Sequence, residues 1–279
     1  MLGEILENVR RERPLIHSIT NSVTVNDCAN ILLACGASPI MANDINEVEE
    51  IQNISRGLNV NIGTMAFSDT KTIIAAGKRA NELGNPVVFD PVGVGASRLR
   101  RKAAEEILSG VKCSVIKCNG SELRTLAENK AAKGGVDADP SDGTTEENIK
   151  TAVTLARTLA ASCKTVVAVT GAIDIVTDGD KAFCVYNGHP MMSFVTGTGC
   201  QLSALMTAFV AANKKDTLTA ALAAVCAMGV CGEKAFERMS TIDGNASYRG
   251  YIIDAVFKLD GDTLDKCARF KAFADGGKK

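Results

Sequence analysis

An α/β fold with a mainly parallel central sheet and an antiparallel hairpin at one edge is what this sequence predicts. Three observations carry the prediction. Short apolar, β-rich runs alternate with longer helical stretches at the spacing of βαβ units. After Thr170 that rhythm changes: Ile175–Thr177, Asp178-Gly179 and Ala182–Tyr186 read as two strands closing on a DG turn. Finally, polar residues and glycines gather directly after the apolar runs, where parallel α/β sheets bind their ligands.

Taken along the chain, the runs Ser38–Met41, Val60–Gly63, Val87–Asp90, Val115–Cys118 and Val166–Thr170 are the expected parallel strands. The helical stretches are Val25–Cys35, Glu47–Ser55, Asp69–Leu83, Arg98–Leu108, Ser121–Asn129, Thr145–Ser162, Cys200–Asn213 and Leu218–Met239. Residues Ala131–Gly143 (AAKGGVDADPSDG) form a polar loop, read first as a solvated connection and second as a flap near a nucleotide. No internal repeat or low-complexity tract interrupts the pattern, and residues 1–279 are expected to form one domain.

Composition narrows the function. Hydrophobic residues make up 46% of the 279, enough for a sizeable core. With 31 basic and 32 acidic residues the net charge is −1, which supplies no electrostatic reason to expect nucleic acid or an anionic membrane as partner. Aromatics at 4% and the absence of Trp argue against base-stacking platforms. The charged start MLGEILENVRRERP lacks the apolar core of a signal peptide, and no run reads as a transmembrane span. Ten cysteines without a CxxC pair point away from zinc and toward a reducing, cytoplasmic compartment. Cys28, Cys35, Cys113, Cys163, Cys226 and Cys231 lie among apolar residues and are expected to be small buried hydrophobes.

The candidate chemistry sits at the run ends. Thr196-Gly197-Thr198-Gly199-Cys200 opens an Ala-rich helix, and glycines there let backbone N–H groups face an anion that the helix dipole favours. A tight turn alone would also account for those glycines. Asn119-Gly120-Ser121-Glu122 either starts a helix or presents Asn119 and Glu122 to magnesium waters or phosphate, with Asp90 as second carboxylate. No GxxxxGK[ST], no strand-borne GxGxxG, no protein-kinase signature and no HExxH occurs, and the two histidines, His17 and His189, are far apart.

Several of these segments occur together in a known order: Pro14–Asn21 (PLIHSITN), Gly36–Met41 (GASPIM), Asn61–Thr64 (NIGT), Asp90–Ala96 (DPVGVGA), Asn119–Glu122 (NGSE), Thr170-Gly171 with Asp174 and Thr177–Gly179, and Gly197–Cys200 (GTGC). Their combination resembles the hydroxyethylthiazole kinases, from about Pro14 to the helix near Met239. The resemblance implies a ribokinase-like three-layer α/β/α fold and transfer of the ATP γ-phosphoryl to 4-methyl-5-(2-hydroxyethyl)thiazole in thiamine salvage, with Mg²⁺. It places Met41, Gly197, Asn21 and Thr64 at the thiazole, Lys117, Thr170 and Asn119 at ATP, and Asp90 and Glu122 at the metal. It implies a homotrimer with each thiazole site near a subunit boundary. Cys200 falls where the wider ribokinase-like group carries a base aspartate; it is expected to contribute modestly, the backbone N–H groups of Gly197, Gly199 and their neighbours doing more. The sequence departs from the family's Arg-Gly at Lys117-Cys118, and from a GPGSF segment at Gly244–Tyr248. Two other readings stand beside this one: another ribokinase-like kinase, acting on a hydroxymethylpyrimidine or a sugar, and a non-catalytic thiazole- or nucleotide-binding protein.

Overall fold

A computed structural model describes residues 1–64, 69–128 and 144–274. Among the described residues nine strands form one sheet: β1 Leu15–Ile19, β2 Ser38–Met41, β3 Gly57–Asn61, β4 Val87–Asp90, β5 Val115–Asn119, β6 Val166–Thr170, β7 Asp174–Thr177, β8 Ala182–Val185 and β9 Phe270–Ala272. Their spatial order is β2-β1-β3-β4-β5-β6-β7-β8-β9. The pairings from β2 through β6 are parallel, and those from β6 through β9 are antiparallel. The mainly parallel sheet and its antiparallel edge therefore stand as expected. The DG pair does lie in the hairpin turn, but the four residues Asp178–Lys181 join β7 to β8, with Gly179 at φ 103°.

The central strands β4, β5 and β6 are buried on both faces, which is why they read as largely apolar runs, whereas the edge strands β2 and β9 are partly or fully exposed. In β6, Val166 and Ala168 face one core while Val167 and Val169 face the other. The first core is covered by helices α1 Leu2–Glu12, α2 Val25–Cys35, α8 Thr198–Ala212, α9 Thr217–Glu237, α10 Asn245–Lys258 and α11 Gly261–Cys267. The second is covered by α3 Val48–Ile54, α4 Asp69–Glu82, α5 Arg98–Gly110, α6 Gly120–Glu128 and α7 Ile149–Cys163. The result is three layers. Helix α9 is long and apolar enough to cross a membrane on length and composition, but 78% of that window is buried within the fold. It is a core helix packed on α1, α8 and α10.

Some elements differ from the sequence reading. Strand β3 runs Gly57–Asn61 rather than Val60–Gly63. Gly57 and Asn59 disguise its start: a Cβ at Gly57 would lie 3.2 Å from Thr207 and Ala211 of α8, and buried Asn59 donates to Ser18 Oγ at 3.4 Å. Helix α7 begins four residues later than expected, because Asn148 Oδ1 accepts from Thr145 N at 2.8 Å and holds the preceding residues in a turn. The elements α1, β1, α10, α11 and β9 have no counterpart in the sequence reading. Of the six cysteines expected in the core, five are buried and Cys163 is half-exposed; all ten thiols are free. The loop Ala131–Gly143 lies outside the described residues. At Gly244–Tyr248, the Tyr248 side chain is fully buried and its hydroxyl donates to Gly232 O at 2.8 Å, so this departure from the family pattern is satisfied by one added hydrogen bond.

Candidate active site

The chain leaves β1 toward β2 on one side and returns to β3 on the other, so β1 and β3 flank a topological switch point. Ligands of open α/β sheets bind in the crevice outside the carboxyl ends of such strands. A cavity of about 370 Å³ lies there, walled by Ile19, Thr20 and Ser22 after β1, Asn61 and Thr64 after β3, and Thr72 of α4.

Asn61 belongs both to this cavity and to a buried polar cluster beneath it. Its Nδ2 donates to Asp90 Oδ2 at 2.9 Å and to Cys200 Sγ at 3.2 Å. Its Oδ1 accepts from Gly63 N at 2.9 Å and Asn21 Nδ2 at 3.1 Å. Asn21 Nδ2 also reaches Cys200 Sγ at 3.3 Å, while Asn21 Oδ1 accepts from Val23 N, Thr24 N and Thr24 Oγ1, each at 3.1 Å. Backbone donors thus orient both amides, and both present N–H groups to the Cys200 sulfur. Behind it, burial pushes the neighbouring Cys28 thiol up to about 12, which leaves that cysteine a structural one.

Asp90, at the tip of β4, has no solvent exposure. It accepts from Ser203 Oγ at 2.6 Å and from Lys117 Nζ at 3.2 Å to either oxygen. Burial raises the Asp90 pKa against the pull of Lys117, Ser203 and Asn61. Burial works against the Lys117 charge too, but Asp90 first, then Glu122 and Cys200, hold its pKa above the ordinary lysine value. One ammonium group therefore faces two buried carboxyl groups, both of which burial pushes toward the protonated form.

Glu122 realises the helix-start reading. Its Oε2 accepts from Asn119 N at 2.8 Å while Asn119 Oδ1 accepts from Glu122 N at 2.9 Å, a reciprocal capping box at the start of α6. Its Oε1 accepts from Gly93 N at 2.8 Å, which ties the loop after β4 to the loop after β5. Burial pushes its pKa to about 7, opposed by Lys117 and by these two N–H donors and reinforced by Asp90. The folded chain thus binds a proton that the unfolded chain releases near the ordinary carboxylate value, so this group's contribution falls as pH rises toward 7. Glu122→Gln removes that titration but sets an amide N–H against a backbone N–H. Urea denaturation is expected to show a loss of about 1–3 kcal/mol for the variant at pH 5 and a smaller loss at pH 8. Equal losses at the two pH values would disprove the linkage.

The start of α8 completes the site. Gly197 is its N-cap at φ 87°, without a side-chain cap, and Gln201 N is the first amide bonded back, to Gly197 O at 2.9 Å. The N–H groups of Thr198, Gly199 and Cys200 precede it and have no acceptor within the helix. A Cβ at Gly199 would lie 3.0 Å from Lys117 Nζ, so the ammonium group sits directly under this turn.

Of the residues singled out from sequence, Asn21, Asp90, Lys117, Gly199 and Cys200 meet in one cluster, with Asn119 and Glu122 beside it. Thr64 joins through Ser22, whose N and Oγ lie 3.2 and 3.3 Å from Thr64 Oγ1. Thr170 ends β6 opposite Asn119, and its hydroxyl donates to Cys118 O at 3.4 Å. Met41 stands apart: half-buried on edge strand β2, it packs on the core side and is not among the cavity walls. Sequence reasoning missed Asn61 and Ser203 as site residues. Each carries a readable signal, a polar residue ending a strand and a hydroxyl one turn after Cys200.

Comparison with known proteins decides the family. The family model described as "Hydroxyethylthiazole kinase family" matches residues 6–262. The chain belongs to the hydroxyethylthiazole kinase family. The hydroxyethylthiazole kinase of Clostridium acetobutylicum is 55% identical over 273 residues, 98% of this chain and 100% of that one. That of Ruminiclostridium cellulolyticum is 47% identical over 268 residues, 96% of each chain. Among solved structures, hydroxyethylthiazole kinase from Pyrococcus horikoshii OT3 superposes with a TM-score of 0.86 at 37% identity, covering 98% of this chain and 99% of that one. A pyridoxal kinase from Staphylococcus aureus in complex with ADP superposes at 0.62 with 13% identity, over 93% and 97% of the chains, which relates the two as folds. The three-layer architecture of this hydroxyethylthiazole kinase family member is thus the ribokinase-like one.

Asp90 and Glu122 fit a magnesium ion of a particular kind. Asp90 Oδ1 and both Glu122 oxygens each hold one hydrogen bond or ion-pair contact and keep further lone-pair capacity. Among the described residues no group of three or more His, Cys, Asp or Glu forms a metal cage. One or two carboxylates, with waters and substrate phosphates filling the remaining positions, is the usual way Mg²⁺ is held.

Proposed function

We propose that the chain transfers the γ-phosphoryl group of ATP to the primary hydroxyl of 4-methyl-5-(2-hydroxyethyl)thiazole, the reaction of thiamine salvage. The observation that carries this reading is Asn61, which walls the cavity at the switch point and also touches Cys200 and Asp90 beside the open amides of α8. The thiazole ring occupies the cavity, with Thr64 in its wall, Asn21 behind it and Met41 and Gly197 at its margin. Its hydroxyl is directed by Asn61 toward Cys200. ATP lies over the ends of β5 and β6, against Asn119 and Thr170, with Lys117 beneath its phosphates. The hydroxyl oxygen bonds to the γ-phosphorus as the bond to the bridging oxygen breaks, releasing ADP. The hydroxyl proton passes to Cys200 Sγ acting as a thiolate, which becomes the neutral thiol; the Asn21 and Asn61 N–H donors aimed at this sulfur support the anionic form. Because the transition state is largely dissociative, charge stabilisation by the Thr198, Gly199 and Cys200 amides contributes more than this proton transfer. Asp90 and Glu122 would hold a magnesium ion, which would neutralise phosphate charge.

We further infer a homotrimer. Val25 lines the cavity and is 37% exposed, and Val23 and Leu33 nearby are 63% and 57% exposed, beside the unpaired edge of β2. A neighbouring subunit on this edge covers apolar surface and closes the cavity. Ten free thiols suit a reducing, cytoplasmic setting.

A panel of thiazole, pyrimidine and sugar alcohols with ATP and magnesium, run with light scattering, tests both inferences. Phosphate ester is expected on the thiazole alcohol, from a protein of three times the chain mass. Preferential phosphorylation of a pyrimidine or sugar would overturn the substrate. No transfer to any alcohol, with thiazole or ATP still bound, would favour a binding protein. A fully active monomer would refute the shared site.

A further inference from the structure

The loops after β1, β3, β4 and β5 are laced together by side chains. Ser22 meets Thr64 between the first two, and Glu122 joins Gly93 to Asn119 between the last two. Between β3 and β4 the strand tips are held by Ile62 N donating to Asp90 O at 3.3 Å and by Asn61. Farther out, the two loops are bridged by Arg100, two residues into α5. Its Nη2 donates to Gly63 O, and its Nη1 lies 3.5 Å from Val92 O.

Two features set this arginine apart. It is half-buried yet has no acidic partner among the described residues, its guanidinium contacts being backbone carbonyls. It also belongs to an unusual helix start. Arg98, Arg100, Arg101 and Lys102 crowd the beginning of α5, whose first turn has no acidic residue. A helix N-terminus favours the opposite charge. Lys102 has a partner within the helix, Glu106 at 3.7 Å, but helix stability does not explain Arg100, whereas an anionic group crossing the ends of β3 and β4 does.

We propose that Arg100 is a positioning residue for phosphoryl transfer. Resting on the function proposed above, the inference gives it two tasks. It holds the Gly63 and Val92 carbonyls at a fixed separation, so that the acceptor loop with Thr64 and the phosphate-side loop with Gly93 keep register. Its uncompensated charge favours the anionic phosphoryl group as it passes between them. A planar guanidinium spans two carbonyls where a lysine ammonium, a compact point charge, does not.

The test compares Arg100→Ala and Arg100→Lys with the unmodified chain in steady-state kinetics, with and without added methylguanidine, and in hydrogen exchange of the ligand-free protein. Both variants are expected to lose about 10- to 100-fold in kcat, the cost of misplacing reacting groups by about an ångström. The KM for ATP should change far less. Methylguanidine should restore part of the Arg100→Ala activity and little of the Arg100→Lys activity. Amides at 61–64 and 92–94 should exchange faster in both variants. A kcat equal to that of the unmodified chain, or a loss that follows thermal stability and ignores methylguanidine, would overturn the inference. If the unmodified chain fails on the thiazole alcohol while Arg100→Ala still loosens those amides, the proposed substrate has failed and the positioning role stands.

Discussion

Gly197→Ala is expected to lower kcat by at least about 10²-fold, the loss seen when a preorganised anion donor is displaced. Two independent constraints act at this position. The backbone is left-handed, φ 87° and ψ 4°, a conformation that costs an L residue with a Cβ about 1–2 kcal/mol. A Cβ there would also overlap Thr24 Cγ2 and lie 3.1 Å from Thr24 Cβ. Thr24 has little freedom to yield, because its N and Oγ1 both donate to Asn21 Oδ1. Any displacement passes to Asn21 and so to the amide that it aims at Cys200. Relief must otherwise come from the first turn of α8, which moves the Thr198–Cys200 amides off the phosphates. Thr24→Ser removes Cγ2 while keeping the hydroxyl, so the double variant should regain a large part of the lost kcat. A Gly197→Ala protein with more than a tenth of the original kcat, or a double variant no better than the single one, would contradict this account.

How far the molecule was legible from sequence depends on where each residue finds its partners. Strands β6 to β8 could be read because Val166–Thr170 is buried on both faces and Asp178-Gly179 fixes the turn locally. Strand β1 could not. Leu15–Ile19 interrupts its apolar pattern with His17 and Ser18, both buried. His17 is tolerated because Gln52 Nε2 contacts its Nδ1 at 2.8 Å and Ala42 O contacts its Nε2 at 2.7 Å, while burial lowers its pKa. Those partners lie 35 and 25 residues away, beyond any local pattern. The same distinction divides the site. Asp90, Glu122 and Gly197 stand at the ends of apolar runs or at a helix start, where position alone marks them. Ser203 gains its role from Asp90 across 113 residues, and Arg100 from a carbonyl 37 residues away. Lys117 is an intermediate case. The family resemblance placed it at ATP, but only the adjacency of β4 and β5 reveals that Asp90 holds the ammonium group inward.

That ion pair gives the largest expected change in stability. Lys117→Met should destabilise the chain by about 3–5 kcal/mol, the range for removing one partner of a buried pair. Asp90 is fully buried and the Lys117 side chain is 5% exposed, so water cannot replace the lost ammonium group. Ser203 and Asn61 still donate to Asp90, but neither neutralises it. The carboxyl group then folds most favourably with its proton on. Its folded pKa rises further above the unfolded value near ~3.9. The native state therefore binds more protons than the unfolded state, and stability declines as pH rises from about 4 toward neutrality, more steeply than in the unmodified chain. Asp90→Asn combined with Lys117→Met removes both charges and keeps an acceptor for Ser203. The double variant should recover at least half of the lost stability and a flatter pH profile, yet remain inactive, because the proposed phosphate cation and the proposed metal carboxylate are both removed. Urea denaturation at pH 5.5 and pH 8, with kinetics on each folded variant, measures all of this. A Lys117→Met chain as stable as the original at pH 8, or a double variant no more stable than the single one, would show that Lys117 and Asp90 are not energetically coupled.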